Sequence, residues 1–336
     1  MTERVPPTLP GRRKACLLLA AMPLLGMQAK AVAAPDFPSR PVTFVVPYAA
    51  GSAGDLWARM ISPSLSKLWG QPVLVENKPG AGALIGMGYV RHAKPDGHTL
   101  LLGSLSTSMA GLTKANLDFD PQVELVPVYK YLTFKIIFAT NPRTYAQAKT
   151  LRDLAAYSQT LSNGIFAGDT GPGTAFNMSM GFVLNALNVK YQSVSYNGIS
   201  AISLALVRDD VQVIINAPTS LNSFLHEKTM YPIAVLSEKR YADMPDVQTV
   251  REAGYEGFLP EIWNGLFAPK GTPPEVIDKI VGDIQKVSAE PGMKERIEST
   301  FTGVIPPGGR VEFEQSLRRD TEQWQGFLKK IGFKPL

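Results

Sequence analysis

Residues 42–55 read Val42-Thr43-Phe44-Val45-Val46, then Pro47-Tyr48-Ala49-Ala50-Gly51-Ser52-Ala53-Gly54-Asp55. The first five form a short β-branched run bounded by Pro41 and Pro47, the pattern of a strand buried on both faces. Beyond Asp55, Leu56, Met60, Ile61, Leu65 and Leu68 recur at helical spacing. The stretch is therefore a strand, a glycine-bearing loop and a helix, with Pro63 expected to kink or shorten that helix.

Outward from this unit, strands and helices keep alternating. Val73-Leu74-Val75 and Thr99-Leu100-Leu101-Leu102 read as strands, separated by the glycine-rich turn Pro79-Gly80-Ala81-Gly82-Ala83 leading into a helix. A second unit starts at Gly164-Ile165-Phe166-Ala167 and passes through Asp169-Thr170-Gly171-Pro172-Gly173-Thr174 into a helix with Phe176, Met180, Val183, Leu184 and Leu187. Val211–Ile215 and Ile233–Leu236 are further strands. Thr272-Pro273-Pro274-Glu275 reads as a capping box with proline in the first turn. The helix after it carries Val276, Ile277, Ile280, Ile284 and Val287, and a last amphipathic helix holds Phe313, Leu317, Trp324 and Leu328. Alternation of this kind argues for α/β architecture with largely parallel sheets, whose ligands collect where carboxyl ends of strands enter helices. The loops 47–55 and 167–175 occupy that position.

The chain begins with Arg12-Arg13-Lys14, an uncharged stretch Ala15–Gly26 and small residues ending Ala31-Val32-Ala33-Ala34. Basic, apolar and A-x-A parts in that order make a secretory signal peptide over 1–33, cleaved after Ala33 or Ala31. The apolar part falls short of the ~20 residues a membrane span needs. Arg12-Arg13 is a weak twin-arginine signal because Ala15 stands where a strong hydrophobe belongs. Cys16 precedes the apolar run instead of closing it, so no lipid anchor is expected. Removing 1–33 lowers the formal charge from +5 to +1, so the basic balance is no nucleic-acid footprint. It also removes the only cysteine, which excludes disulfides, thiolate catalysis and cysteine metal sites. About 300 remaining residues suit one large α/β unit or two lobes.

Each loop joins glycines and small hydroxyl residues to an oncoming helix. Glycine lets backbone approach a ligand and offer N–H donors, and a helix N-terminus adds unpaired N–H groups and a positive dipole end. Ser52, Thr170 and Thr174 add hydroxyls. Neither loop contains lysine or arginine, so an anion would be held by neutral donors, as suits reversible capture of a small carboxylate. One such loop is also an ordinary tight turn; two of one design argue for a binding cleft. Asp55 either accepts hydrogen bonds from a ligand, fixes its loop from behind, or complements the first helical turn. Neither loop is a P-loop or G-x-G-x-x-G.

At these residues the chain resembles the Bug receptors, extracytoplasmic solute-binding proteins of tripartite tricarboxylate transporters. The resemblance runs from about Phe37 to the C-terminus. It is carried by Phe37-Pro38-Ser39-Arg40-Pro41-Val42, Val46-Pro47-Tyr48-Ala49-Ala50-Gly51, Gln71–Gly82, Pro95-Asp96-Gly97-His98-Thr99 onward to Gly103, Pro245-Asp246-Val247-Gln248-Thr249-Val250 and Trp263-Asn264-Gly265 onward to Pro273. It implies a two-lobed, type II-like periplasmic-binding-protein fold, each lobe a largely parallel sheet flanked by helices, closing like a flytrap on a cleft. Lobe 1 is expected at 34–131 and 233–336, lobe 2 at 132–232. It implies a periplasmic monomer that captures a di- or tricarboxylate, acidic amino acid or aromatic acid and hands it to a membrane transporter or reports it to a sensor. Tyr48, Ala50, Gly51, Ser52 and Asp55 of the first loop, Asp169, Thr170, Gly171, Gly173 and Thr174 of the second, and Ser106 and Thr107 after the strand ending at Gly103 are its implied ligand-binding residues. Ser52 stands where a second glycine is usual, Asn177 where histidine is common, and Asn197 where lysine is usual.

No cofactor or metal is expected. A secreted hydrolase is the rival reading. His92, His98 and His226 show no metal-binding spacing, and no G-x-S-x-G elbow is present. His98 is read as structural, Trp57 and Trp69 as packing residues, and Trp263 as core.

Overall fold

The structure is a computed structural model that describes residues 1–2, 37–115, 117–301, 306, 308–330 and 332–335. The chain divides into Met1–Pro35 and Asp36–Leu336. All but the first two residues of the expected signal peptide, with its cleavage site and Cys16, lie outside the described residues. Everything below concerns the second unit.

Among the described residues, ten strands form two sheets. They are β1 (Val42–Val46), β2 (Val73–Asn77), β3 (Thr99–Ser104), β4 (Leu125–Thr133), β5 (Ile137–Thr140), β6 (Ile165–Asp169), β7 (Tyr191–Ser195), β8 (Val213–Asn216), β9 (Tyr231–Val235) and β10 (Trp263–Pro269). One sheet has the order β2-β1-β3-β10-β4, the other β7-β6-β8-β5-β9. In the first, β10 opposes its neighbours β3 and β4 while β1, β2, β3 and β4 run together. In the second, β5 is the opposed strand. These two strands are the ones entered just after the chain changes sheets, through 134–136 and through 236–262. The expected lobe limits fall inside β4, at Leu132, and inside β9, at Pro232.

Alternation of side chains across each strand divides the core. Phe44, Val46, Leu100 and Leu102 pack with Trp57, Ile61, Leu65 and the helix Pro274–Ser288 on one face of the first sheet. Val45, Leu101 and Phe267 belong to a second cluster, which includes Phe138, Ile165, Val213 and Ile215 of the other sheet. Ile137, Ala139 and Ile214 face a third, with Ile202, Ala205 and Leu206. Burial on both faces is why the central strands read as unbroken apolar runs.

The first helix, α1, spans Ala53–Trp69 and is not stopped by Pro63. That residue lies on the exposed face, where the carbonyl it leaves unpaired is open to water. The buried stripe is Trp57, Ala58, Ile61, Leu65 and Trp69, while Leu56 and Leu68 of the expected apolar set face solvent. The capping box at Thr272 does not form: the helix begins at Pro274 with no side-chain cap, and Thr272 Oγ1 donates to Pro269 O at 2.8 Å. Proline at the first turn already lacks the N–H a cap would serve. No helix among the described residues is long and apolar enough to cross a membrane.

Candidate carboxylate-binding site

Topology sets where the two loops lie. Because β4 runs with β1 and β3, the first crossing leaves the first sheet from its carboxyl edge. Because β5 opposes β6 and β8, that crossing enters the second sheet at its carboxyl edge too. The connection is only residues 134–136, and it is paired to the returning crossing by Phe134 N–H donating to Ile262 O at 2.8 Å. The two carboxyl edges therefore adjoin, and each carries one loop.

In the first loop, Asp55 is 2 % exposed and works as a brace. Its carboxylate accepts from Gly51 N–H (2.9 Å), Arg59 Nε (3.0 Å) and Asn77 Nδ2 (3.0 Å). Asn77 Nδ2 also donates to Tyr48 O at 3.1 Å, and Arg59 Nη2 donates to Asn77 Oδ1 at 3.0 Å. Burial alone would raise the Asp55 pKa, but the hydrogen bonds from Arg59, Gly51 and Asn77, with the Arg59 charge, outweigh it and hold the group below the ordinary carboxylate value. Ser52 caps α1, accepting from Asp55 N–H at 3.4 Å. Asp55 thus fixes its loop from behind and also stands in the first turn of α1.

The second loop repeats the device without a cation. Asp169, also 2 % exposed, accepts from Gly171 N–H (2.7 Å), Asn177 Nδ2 (2.7 Å), Ser195 Oγ (2.8 Å) and Ser193 Oγ. Burial pushes its pKa up, yet the bonds from Ser193, Gly171, Ser195 and Asn177 together bring it below the ordinary value. Thr174 caps the helix Ala175–Ala186, accepting from Asn177 N–H at 3.3 Å, and its hydroxyl donates to Gly171 O at 2.9 Å. Thr170 Oγ1 and Thr174 Oγ1 share a contact of 3.1 Å.

These bonds change which donors remain. The N–H groups of Gly51, Gly171 and Gly173 are taken inside their own loops, the last by Asn177 Oδ1 at 3.4 Å. Gly51 and Gly171 have φ of +83° and +112°, so glycine is needed there to turn the loop around its aspartate. The N–H groups that find no acceptor among the described residues are those of Tyr48, Ala49, Ala50, Ala53 and Gly54 in the first loop and Thr170, Ala175 and Phe176 in the second. Four of these eight lie in the first turn of a helix of 17 or 12 residues, where the dipole favours an anion.

Tyr48 does not present its hydroxyl freely. It shares hydrogen bonds with Ser104 Oγ (2.7 Å) and Thr107 Oγ1 (3.2 Å). Thr107 is buried and accepts from Ser104 N–H at 3.1 Å, while Ser106 is half-buried. The structure thus joins Tyr48, Ser104 and Thr107 into one group, Gly51, Ser52 and Asp55 into a second, and Asp169, Thr170, Gly171, Gly173 and Thr174 into a third. Ala50 is exposed beside the second group. Sequence reasoning missed Arg59, Asn77, Ser104, Ser193 and Ser195. For the last two the signal was present: serines at i and i+2 of a strand share a face.

Other singled-out residues are structural. His98 is 5 % exposed, accepts from Ser39 N–H at its Nε2 (3.2 Å) and packs edge-on against Phe37. Trp57 and Trp69 are buried, and Trp263 is fully buried with its Nε1 donating to Asp320 Oδ2 at 2.9 Å. No group of three or more metal-ligating side chains occurs among the described residues.

Residues 57–332 match the family described as the tripartite tricarboxylate transporter family receptor. The UPF0065 protein in the tcbD-tcbE intergenic region of a Pseudomonas species is 31 % identical over 294 residues, covering 87 % of this chain and 86 % of that protein. Among solved structures, the periplasmic binding protein BugD is 29 % identical with a TM-score of 0.76, over 89 % of this chain and 100 % of that one. MatC from Rhodopseudomonas palustris, solved with bound malate, is 28 % identical with a TM-score of 0.75, over 86 % and 99 %.

Proposed function

Because the chain belongs to the tripartite tricarboxylate transporter receptor family, we propose that it captures a small carboxylate between its two sheets and delivers it to a membrane transporter. The observation that carries this reading is the pair of aspartate-braced loops on adjoining carboxyl edges. Each brace consumes the loop glycines' donors and leaves the helix-terminal N–H groups without acceptors among the described residues. Those donors are neutral, so an acid is held by hydrogen bonds and helix dipoles and not by an ion pair. Such a site releases its ligand readily, as delivery requires. MatC with bound malate shows a related receptor holding a small acid.

BugD is described as a periplasmic binding protein, and on that likeness we assign a periplasmic location to this chain and its export to residues 1–33. We infer that the two sheets are the cores of the two lobes expected at 34–131 with 233–336 and at 132–232, a reading supported by the chain changing sheets at 134–136 and 236–262. No catalytic role is assigned to the site: its two buried carboxylates are ionised and fully engaged in bracing, which leaves neither free as a general acid or base.

A thermal-shift screen of the mature chain against di-, tri- and aromatic carboxylates tests the proposal. Binding by the folded state alone raises the melting temperature with ligand concentration. At least one acid is expected to stabilise the protein saturably, with one-to-one stoichiometry by calorimetry. Stabilisation by neutral amides of the same acids to an equal extent would contradict it.

A further inference from the structure

The floor beneath the N-terminus of α1 carries a hydroxyl that the site as described does not use. Tyr131 is 1 % exposed, and among the described residues no partner meets hydrogen-bond geometry with its Oη, which is itself buried. A lone buried hydroxyl is costly, since desolvation goes uncompensated. Its ring is held in place by stacking on Trp57 of α1 at 4.0 Å. The strand places it deliberately: β10 pairs Asn264 with Leu132 and Gly265 with Lys130, so Tyr131 is the extra residue of a bulge in β4. Bulges re-aim a side chain and recur beside functional sites.

The aim is toward α1. A Cβ on Gly54 would lie 3.4 Å from Tyr131 Oη, and Gly54 is one of the two first-turn residues whose N–H lacks an acceptor. Tyr131 also stands at the carboxyl edge, near the Tyr48 hydroxyl and Asn264. Burial, and to a lesser degree the neighbouring Tyr48, push its pKa up; the Asn264 side chain comes close enough to lower it in part but does not reach hydrogen-bond geometry with the hydroxyl. The phenol therefore keeps its proton at neutral pH and is a donor.

We propose that the Tyr131 hydroxyl donates to the carboxylate seated on the Ala53 and Gly54 N–H groups, completing the first loop's half of the site. This rests on the carboxylate-receptor reading above. A rigid, uncharged donor under a helix N-terminus adds affinity for an anion without adding a counter-charge that would slow release. It also makes Tyr131 a determinant of which oxygen geometry the floor accepts.

The test is Tyr131→Phe, which keeps the ring and its stacking. Wild type and variant are titrated calorimetrically with malate, adipate and benzoate, and ligand-free melting temperatures are recorded for both. The expected result is an affinity for the binding acid lower by about 10-fold or more, as for loss of a hydrogen bond to a charged group. The ligand-free melting temperature is expected to be unchanged or higher, because a buried unpaired hydroxyl has been removed. An affinity within about twofold of wild type would overturn the proposal, leaving Tyr131 as a packing residue. A lower ligand-free melting temperature would also overturn it, since the hydroxyl would then have a partner inside the protein. If wild type binds no acid of a wider carboxylate panel, the receptor reading itself fails and Tyr131 loses its assigned role with it.

Discussion

At Gly171 the backbone has φ of +112°, yet nothing lies within 4 Å of where a Cβ would stand. A side chain there meets no steric wall; what it meets is a backbone conformation that costs a non-glycine residue roughly 1–3 kcal/mol. The loop can relieve that cost by rotating, and rotation carries the N–H of Gly171 off Asp169 and moves the neighbouring Thr170 donor. Gly171→Val is therefore expected to lower affinity for the bound acid by about 10-fold or more. The fold is expected to stay intact, since the position is half-buried and packs against nothing. Circular dichroism and titration of the same sample check this, and retained affinity would count against the second loop as a gripping element. The loops were legible in sequence because glycine, serine and aspartate at a strand-to-helix turn each have a local physical reason to be there. The braces behind them were not. Asn77 reaches Asp55 only because β2 lies beside β1 in a register that pairs Val46 with Asn77, and Ser193 and Ser195 reach Asp169 only because β7 lies beside β6. The spacing of Ser193 and Ser195 puts them on one face of their strand, but which group that face meets is fixed by sheet register and has no signature in either segment alone.

Among the elements, the helix Leu84–Arg91 sets the position of the first loop through one glycine. A Cβ on Gly86 would fall 2.6 Å from Pro47 Cβ and 2.9 Å from its Cα, whereas one on Gly88 meets nothing within 4 Å. Gly86→Ala must push this helix and Pro47 apart, with an overpacking cost of about 1–3 kcal/mol and a displaced first loop. Gly88→Ala, two residues away, is expected to stabilise by about 0.4–1 kcal/mol through the unfolded chain. Denaturant unfolding of the two variants, with and without ligand, separates the effects; equal behaviour would show that the helix does not position the loop. The same scale explains which strands could be read. β1, β3 and β8 are buried on both faces and stand out as apolar runs. β7, with Gln192, Ser193 and Ser195 exposed, is an edge strand with little apolar content. β4 carries Lys130 and two irregularities against β10, and β10 itself contains Asn264, Gly265 and Pro269, residues that punctuate rather than extend a strand pattern.

For the molecule as a whole, the helix Arg310–Lys330 joins the two sheet systems. Phe313 meets Trp263 of β10 edge-on at 5.1 Å, while Trp324 and Phe327 contact Phe182 of the Ala175–Ala186 helix at 5.3 and 3.7 Å. Asp320 fastens this helix to Trp263, and burial raises its pKa to about 6, the Trp263 bond and the Lys130 and Arg319 charges opposing and Glu261 adding to the shift. A folded-state value above the ordinary ~3.9 means that folding favours the protonated form. The corresponding stability is fully present below pH ~4 and is lost as pH rises through about 6. Asp320→Asn, which cannot ionise, is expected to be more stable than wild type at pH 8 by roughly 1–3 kcal/mol and to lose that advantage at pH 4. Thermal melts across pH check it, and an advantage that grows toward acid would reverse the assignment.

The central claim is that one anionic group sits between two helix N-termini on opposing sheets. A crystal structure of the mature chain with its stabilising acid measures this directly. The account predicts a carboxylate within hydrogen-bond distance of the Ala53 or Gly54 N–H on one side and of Thr170, Ala175 or Phe176 N–H on the other, with Asp55 and Asp169 still bonded to Gly51 and Gly171. A carboxylate bound away from both loops, or paired with a lysine or arginine side chain, would contradict it.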